Sequence, residues 1–291
     1  MKKILLLIYL TPIILFSQEE EDLFGELDNL TIKAESEVNA TFKSSRLMLG
    51  QSTERVKAKQ LHMRISHVFG KIKGIDNFFG MDHINNMHMS FEYGLNDYIQ
   101  LGLARSNKPD KTYSGSVKLS LYRQRDGEKT FPLSLSYFGG IDYKSRKYTP
   151  KERDEYFSGR LDYVNQVLVS RKFNKKLSLL LSPTWIHRNL TDNSNEPNNI
   201  YTIGMGGRYL FSRSMSVNLE YFYALPTFDS YDVKKNSFSI GLDIETGGHV
   251  FQLFFTDAFA LHPGKFAINQ SGDFFNRDIN FGFSILREFS L

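Results

Sequence analysis

The sequence predicts an all-β protein, a transmembrane antiparallel β-barrel of about twelve strands. Three observations carry this reading. Beyond residue 60 the chain alternates apolar and polar residues with period two, with no stretch of helical periodicity. Its connectors alternate between short and long. Its apolar face is rich in Phe and Tyr, while the opposite face holds Ser, Gly and charges.

The chain opens with Met1-Lys2-Lys3, an apolar run from Ile4 to Phe16, the small Ser17, and then Gln18-Glu19-Glu20-Glu21-Asp22. This is the layout of a secretory signal peptide, too short to span a bilayer and cut near residue 17. The expected organisation is a signal peptide over 1–17, a periplasmic lead or plug segment over 18–60, and a barrel over 61–291. Residues 18–60 begin acidic, become mixed and carry the apolar patch Leu47-Met48-Leu49. A disordered lead, an inner plug and a docking segment all fit that composition.

Twelve strands follow in order. Leu61, Met63, Ile65 and Phe69 alternate with His62, Arg64 and Ser66, and Met87, Met89, Phe91 and Tyr93 with His88, Ser90 and Glu92. Ile99, Leu101 and Leu103 form the third set, and Val117, Leu119 and Leu121, around Lys118, the fourth. The fifth runs Phe131, Leu133, Leu135, Tyr137; the sixth sets Leu161, Tyr163, Val167 and Val169 against Arg160, Asp162 and Gln166. Leu177 to Trp185, Tyr201 to Tyr209 (opposite Arg208) and Val217 to Tyr223 (opposite Glu220) supply three more. The last three are Phe238 to Ile244, opposite Asp243 and Glu245, then Phe251 to Phe255, and Ile279 to Ile285.

Short links at 94–97, 125–129, 172–176, 212–214 and 247–248 carry the Gly, Asn, Asp and Ser of tight turns. Between them lie longer polar links at 70–82, 107–112, 140–155, 189–199, 226–236 and 258–276. Short periplasmic turns and longer outer loops give a membrane barrel this rhythm, which a soluble sandwich has no reason to keep. An even strand number returns both barrel ends to one side. The expected location is the bacterial outer membrane, and a secreted all-β protein with its apolar face inward is the alternative.

Composition excludes other classes. The chain has no Cys, so disulfide scaffolds, thiolate metal sites, a cysteine nucleophile and a lipidated N-terminal Cys are ruled out. Mean hydropathy of −0.34 excludes a polytopic helical membrane protein, while 14% aromatics are too many for disorder. The formal charge of +4 is dispersed along the chain and gives no nucleic-acid footprint.

Inward charges are the candidate functional residues: Arg64, Lys118, Arg160 and Arg208 against Glu92, Asp162, Glu220, Asp243 and Glu245. In a narrow lumen they must be paired or hydrated. They either bridge and plug the barrel or line a selective channel for small polar solutes, and twelve strands lie between filled and open barrels. No nucleotide, phosphate-loop or His-Glu-x-x-His motif is present, so no catalytic residue, cofactor or metal is expected. His62 and His88 on adjacent strands make a weak metal pair conceivable, a hydrogen-bonded lumen role being the alternative. His67 and His187, facing lipid near strand ends, are where a lipid hydrolase would keep its base. An interfacial His beside an aromatic belt is the other reading. The basic loop 143–155 fits lipid phosphate or lipopolysaccharide.

The runs Ala40 to Arg46, Met63 to Gly70, Leu181 to Leu190 and Ile244 to Leu253 resemble an uncharacterised Gram-negative outer-membrane β-barrel family, a domain of unknown function. The resemblance covers roughly residues 40–291. It implies a barrel and outer-membrane placement, and brings no activity, substrate or site residue. Phe281, Phe283, Ile285, Phe289 and Leu291 resemble the closing strand read by barrel-assembly machinery, which is thus an expected partner.

Overall fold

The computed structural model describes residues 36–127, 130–147, 156–191, 196–226, 236–262, 264–265 and 272–291. The chain divides into the units Met1–Ala34 and Glu35–Leu291. The expected signal peptide, and residues 18–35 of the lead, lie outside the described residues.

The strands are β1 (Ser36–Glu37), β2 (Gln60–Lys71), β3 (Ile84–Gly94), β4 (Ile99–Ser106), β5 (Thr112–Tyr122), β6 (Arg125–Asp126) and β7 (Ser134–Lys144). They continue as β8 (Leu161–Lys172), β9 (Leu177–Arg188), β10 (Asn199–Leu210), β11 (Met215–Ala224), β12 (Ser237–Thr246), β13 (His249–Thr256) and β14 (Asn280–Ser290). All except β1 and β6 form one closed antiparallel barrel, as the alternation predicts. β14 seals it against β2, with Phe289 opposite Leu61 and Ile285 opposite Ile65. Closure leaves no unpaired strand edge, which the hydrocarbon interior of a bilayer demands.

Burial runs inside out relative to a soluble protein. Arg64 is 1% exposed and Lys118 1%, whereas Leu103 is 70% exposed. The outward face is apolar along the strands. It ends in aromatics at both rims: Tyr98, Tyr122, Phe173 and Tyr209 at the turn end, Tyr113, Trp185 and Tyr201 at the loop end.

Two connectors depart from the expected rhythm. The link 107–111 is short although it lies at the loop end, and 123–133 is long at the turn end. The long turn has a structural partner. Its β6 pairs with β1, Ser36 opposite Asp126 and Glu37 opposite Arg125. Phe131 bridges back to Arg125 in this turn, so the fifth barrel strand starts at Ser134 and not at Phe131. Arg160, expected within a strand, closes a 3-10 turn over Phe157–Arg160 just before β8.

Candidate functional site within the barrel lumen

Residues 38–59 enter the barrel from the turn end and return to it. Val38 N–H donates to the Gln124 carbonyl at 2.8 Å, and Lys59 N–H to the Gly94 carbonyl at 2.8 Å. Between these anchors the chain makes a hairpin, with Arg46 bridged to Gln51 and Leu47 N–H donating to the Gly50 carbonyl at 2.9 Å. Phe42, Leu47, Met48, Leu49 and Val56 are all buried, although none belongs to a barrel strand.

The wall charges meet this hairpin. Glu220 accepts the N–H groups of Met48, Leu49 and Gly50 at 3.3, 2.9 and 3.0 Å. Three successive amides around one carboxylate form an anion nest at the hairpin tip. Lys118 Nζ donates to the carbonyls of Ser45, Ser52 and Glu54 at 2.8, 3.0 and 3.1 Å. Arg208 Nη2 donates to the Ala40 carbonyl at 2.9 Å, and Arg64 Nη2 to Ser44 Oγ at 2.6 Å. Glu92 takes Arg46 Nε at 3.2 Å together with the Ser45 hydroxyl. Glu245, at the turn-end rim, pairs with Lys43.

The remaining three charges go elsewhere. Asp243 accepts from Gln252 Nε2 at 2.8 Å, and Gln252 also bonds Arg64 and the Leu47 carbonyl. Asp162 pairs with Lys144 at 2.9 Å. Arg160 Nη1 donates to the carbonyls of Lys144 and Arg146 at 2.8 and 2.7 Å, at the loop-end rim and not along the lumen wall. Among the described residues, Arg64, Lys118 and Arg208 form no direct ion pair with any of the five anions, three of which take Lys43, Arg46 and Lys144 instead. A bare lumen of twelve strands is wide enough to keep facing walls apart, and the inserted chain supplies the short partners.

The inward face is also less uniformly polar than the alternation implies. Val164, Leu168, Leu180, Ile186 and Ile200 point inward from β8, β9 and β10, and with Phe138 they enclose Phe42 and Leu47. A second cluster joins Met48 and Leu49 to Val68, Phe222, Phe254, Ala258 and Leu261. Inward glycines make space for the tip. A Cβ on Gly206 would meet Leu47 Cδ2 at 2.8 Å, and one on Gly241 would meet Met48 Sδ at 2.7 Å. Leu47-Met48-Leu49 facing such glycines was the available signal, but only the barrel register joins the two.

Part of the connector after β13 folds in from the loop end. His262 Nδ1 lies 3.0 Å from Asp142 Oδ2, Lys265 Nζ 3.6 Å from Asp110 Oδ2, and the Phe259 carbonyl accepts from Asn86 Nδ2 at 3.0 Å. Asp257, just past β13, accepts the N–H of Phe238 and the hydroxyl of Ser237, both at 3.0 Å. Burial nevertheless pushes its carboxyl above the usual carboxylate range. Leu261 then packs over the hairpin tip, so the lumen is filled from both ends.

The histidines are placed apart. His62 stands opposite Glu92 and His88 opposite Ser66, four residues along β2, so they share no metal site. His62 Nε2 meets Glu288 at 3.1 Å, and His88 Nε2 meets Arg46 Nη1 at 3.3 Å. No group of potential metal ligands occurs among the described residues. On the outer face His67 stacks on Phe283, and His187 Nδ1 lies 2.8 Å from Asn199 Oδ1 beside Trp185. The basic loop is described only at 143–147, and the rest of it lies outside the described residues.

Among solved structures the barrel is similar to the NanC porin, with TM-score 0.50 at 9% identity over 78% of this chain and 98% of that one. It is also similar to the KdgM porin, with TM-score 0.48 at 12% identity over 79% and 99%. A third is the COG4313 outer membrane channel from Pseudomonas putida F1, with TM-score 0.48 at 12% identity over 81% and 98%. At such identities the likeness is one of fold. No curated protein matches the chain. The profile of the membrane bound beta barrel domain DUF5777 matches residues 42–289, from the buried Phe42 of the hairpin to the end of β14. The chain belongs to that family of membrane-bound β-barrels.

Proposed function

We propose that the protein is a bacterial outer-membrane channel for small polar solutes, closed at rest by the hairpin in its own lumen. The reading includes export through a cleaved signal peptide over 1–17, with the turn end facing the periplasm. The observation that carries it is the pairing of the lumen charges. Glu92, Lys118, Arg208 and Glu220 bind the hairpin and not one another, so its departure leaves a hydrated, charge-lined lumen whose remaining constriction is the loop-end connector at Leu261. The porin name borne by NanC accords with transport. Outer-membrane lipid and lipopolysaccharide would surround the aromatic rims, and barrel-assembly machinery would read β14.

The two apolar clusters favour a second reading, a permanently filled barrel that binds a partner. Conductance in a planar bilayer separates the two. The intact chain should give rare, brief steps. Leu47→Asp, which puts a charge into an apolar cluster without touching the wall, should give sustained current whose ion selectivity changes on adding Arg208→Ala. A folded, heat-modifiable Leu47→Asp barrel that stays silent would establish the filled reading instead.

A further inference from the structure

The lumen wall addresses the backbone of the hairpin more than its side chains. Lys118 takes three carbonyls, Glu220 takes three amides, and Arg208 takes the Ala40 carbonyl. Gln100 Oε1 accepts Val56 N–H at 2.9 Å, Lys172 Nζ donates to the Asn39 carbonyl at 2.8 Å, and Gln252 bonds the Leu47 carbonyl. Peptide N–H and C=O groups are the same in every sequence, so a wall built on them recognises polypeptide as a chemical class. Charged donors and acceptors make these bonds strong. The apolar clusters around Leu47 and Met48 add room for aliphatic side chains.

We infer that this lumen is a peptide-binding site, that its solutes are short peptides with apolar side chains, and that the hairpin occupies it as a resident surrogate. The inference rests on the channel reading only for passage; binding stands without it.

The test uses two variants that leave the wall residues named above in place, Leu47→Asp and a chain lacking residues 40–57, each checked for heat-modifiable mobility. The probes are a synthetic peptide of residues 38–59, a scrambled peptide of the same composition, and a neutral oligosaccharide of similar mass. Both peptides should block the open channel reversibly, and the oligosaccharide should not. Lys118→Met should weaken block by about tenfold or more, the loss expected for hydrogen bonds to a charged group. Block by the 38–59 peptide alone would overturn the inference and leave a self-specific plug. An open channel that no peptide blocks would overturn it while the channel reading stands. If no variant conducts, anisotropy of the labelled scrambled peptide decides: saturable binding supports the peptide site and sinks the channel, and its absence sinks both.

Discussion

Arg46 on the hairpin and Glu92 on β3 form a buried ion pair, with Nε 3.2 Å from Oε1. Glu92 also accepts from Gln100 Nε2 at 3.2 Å, so the carboxylate ties hairpin to wall through several donors. Breaking a buried pair from one side strands the other charge, at a cost of about 3–5 kcal/mol. Glu92→Gln should therefore unseat the hairpin and leave the barrel closed on itself. Hydrogen exchange at the amides of Leu47 and Ser52 should accelerate, while strand amides keep their protection. Replacing both partners by Met should restore most of the loss, because neither charge is then left alone. Unchanged exchange at Leu47 in Glu92→Gln would show that the pair does not hold the hairpin.

Gly206 and Leu47 fit only because the first has no side chain. Gly206→Val should overpack the site by about 1–3 kcal/mol. Leu47→Ala should relieve that strain, so the double variant should be more stable than the sum of the two single changes predicts. The heat-modification midpoint on gels reads the cycle. Strict additivity would mean that Leu47 does not occupy this space.

The barrel was legible because lipid outside and chain inside force a period of two on every strand, as in Leu101 and Leu103 beside Gln100 and Gly102. The hairpin was legible only as one of three options for residues 18–60, an inner plug, since residues 38–59 carry no period. Their partners Lys118, Arg208 and Glu220 lie far along the chain, on three different strands. The expectation that inward cations and anions face one another missed this inserted third party. The same distance hid the long turn at 123–133, whose β6 is explained only by β1. Val164 and Ile186 escaped notice because their strands alternate as well as the others; what fills the lumen decides which inward positions are apolar.

Asp257 anchors the start of the inward-folded connector through the Ser237 hydroxyl and the Phe238 amide. Its pKa is raised in the folded state by burial, which outweighs these donors. A raised carboxyl contributes stability that is full below its unfolded pKa and is lost as pH rises through the folded value. The connector should thus be better protected at pH 4 than at pH 6, and Asp257→Asn should flatten that dependence. Hydrogen exchange is the readout, at the Phe238 amide and at the Phe274 amide, which donates to Asp257 Oδ2 at 3.4 Å. A protection that falls on acidification would reverse the sign and refute the account.

His187 tests whether the outer face does chemistry. A lipid hydrolase needs a hydroxyl nucleophile beside its base, with a third group orienting the ring. Asn199 Oδ1 supplies an orienting partner at 2.8 Å from Nδ1, and accepts from Trp185 Nε1 at 3.0 Å as well. The described rings around His187 are Trp185 and Tyr163, and no serine hydroxyl bonds it among the described residues. Ser182 and Thr184 on the same strand point into the lumen, away from lipid. His187 and Asn199 form part of the aromatic rim, with tilted rings and a shared amide oxygen that suit a membrane interface. Reconstituted in phospholipid vesicles, the intact protein and His187→Ala should release equally little fatty acid, and His187→Ala should lower the heat-modification midpoint. Fatty-acid release by the intact chain that disappears in His187→Ala would instead make His187 a catalytic base and the barrel an enzyme.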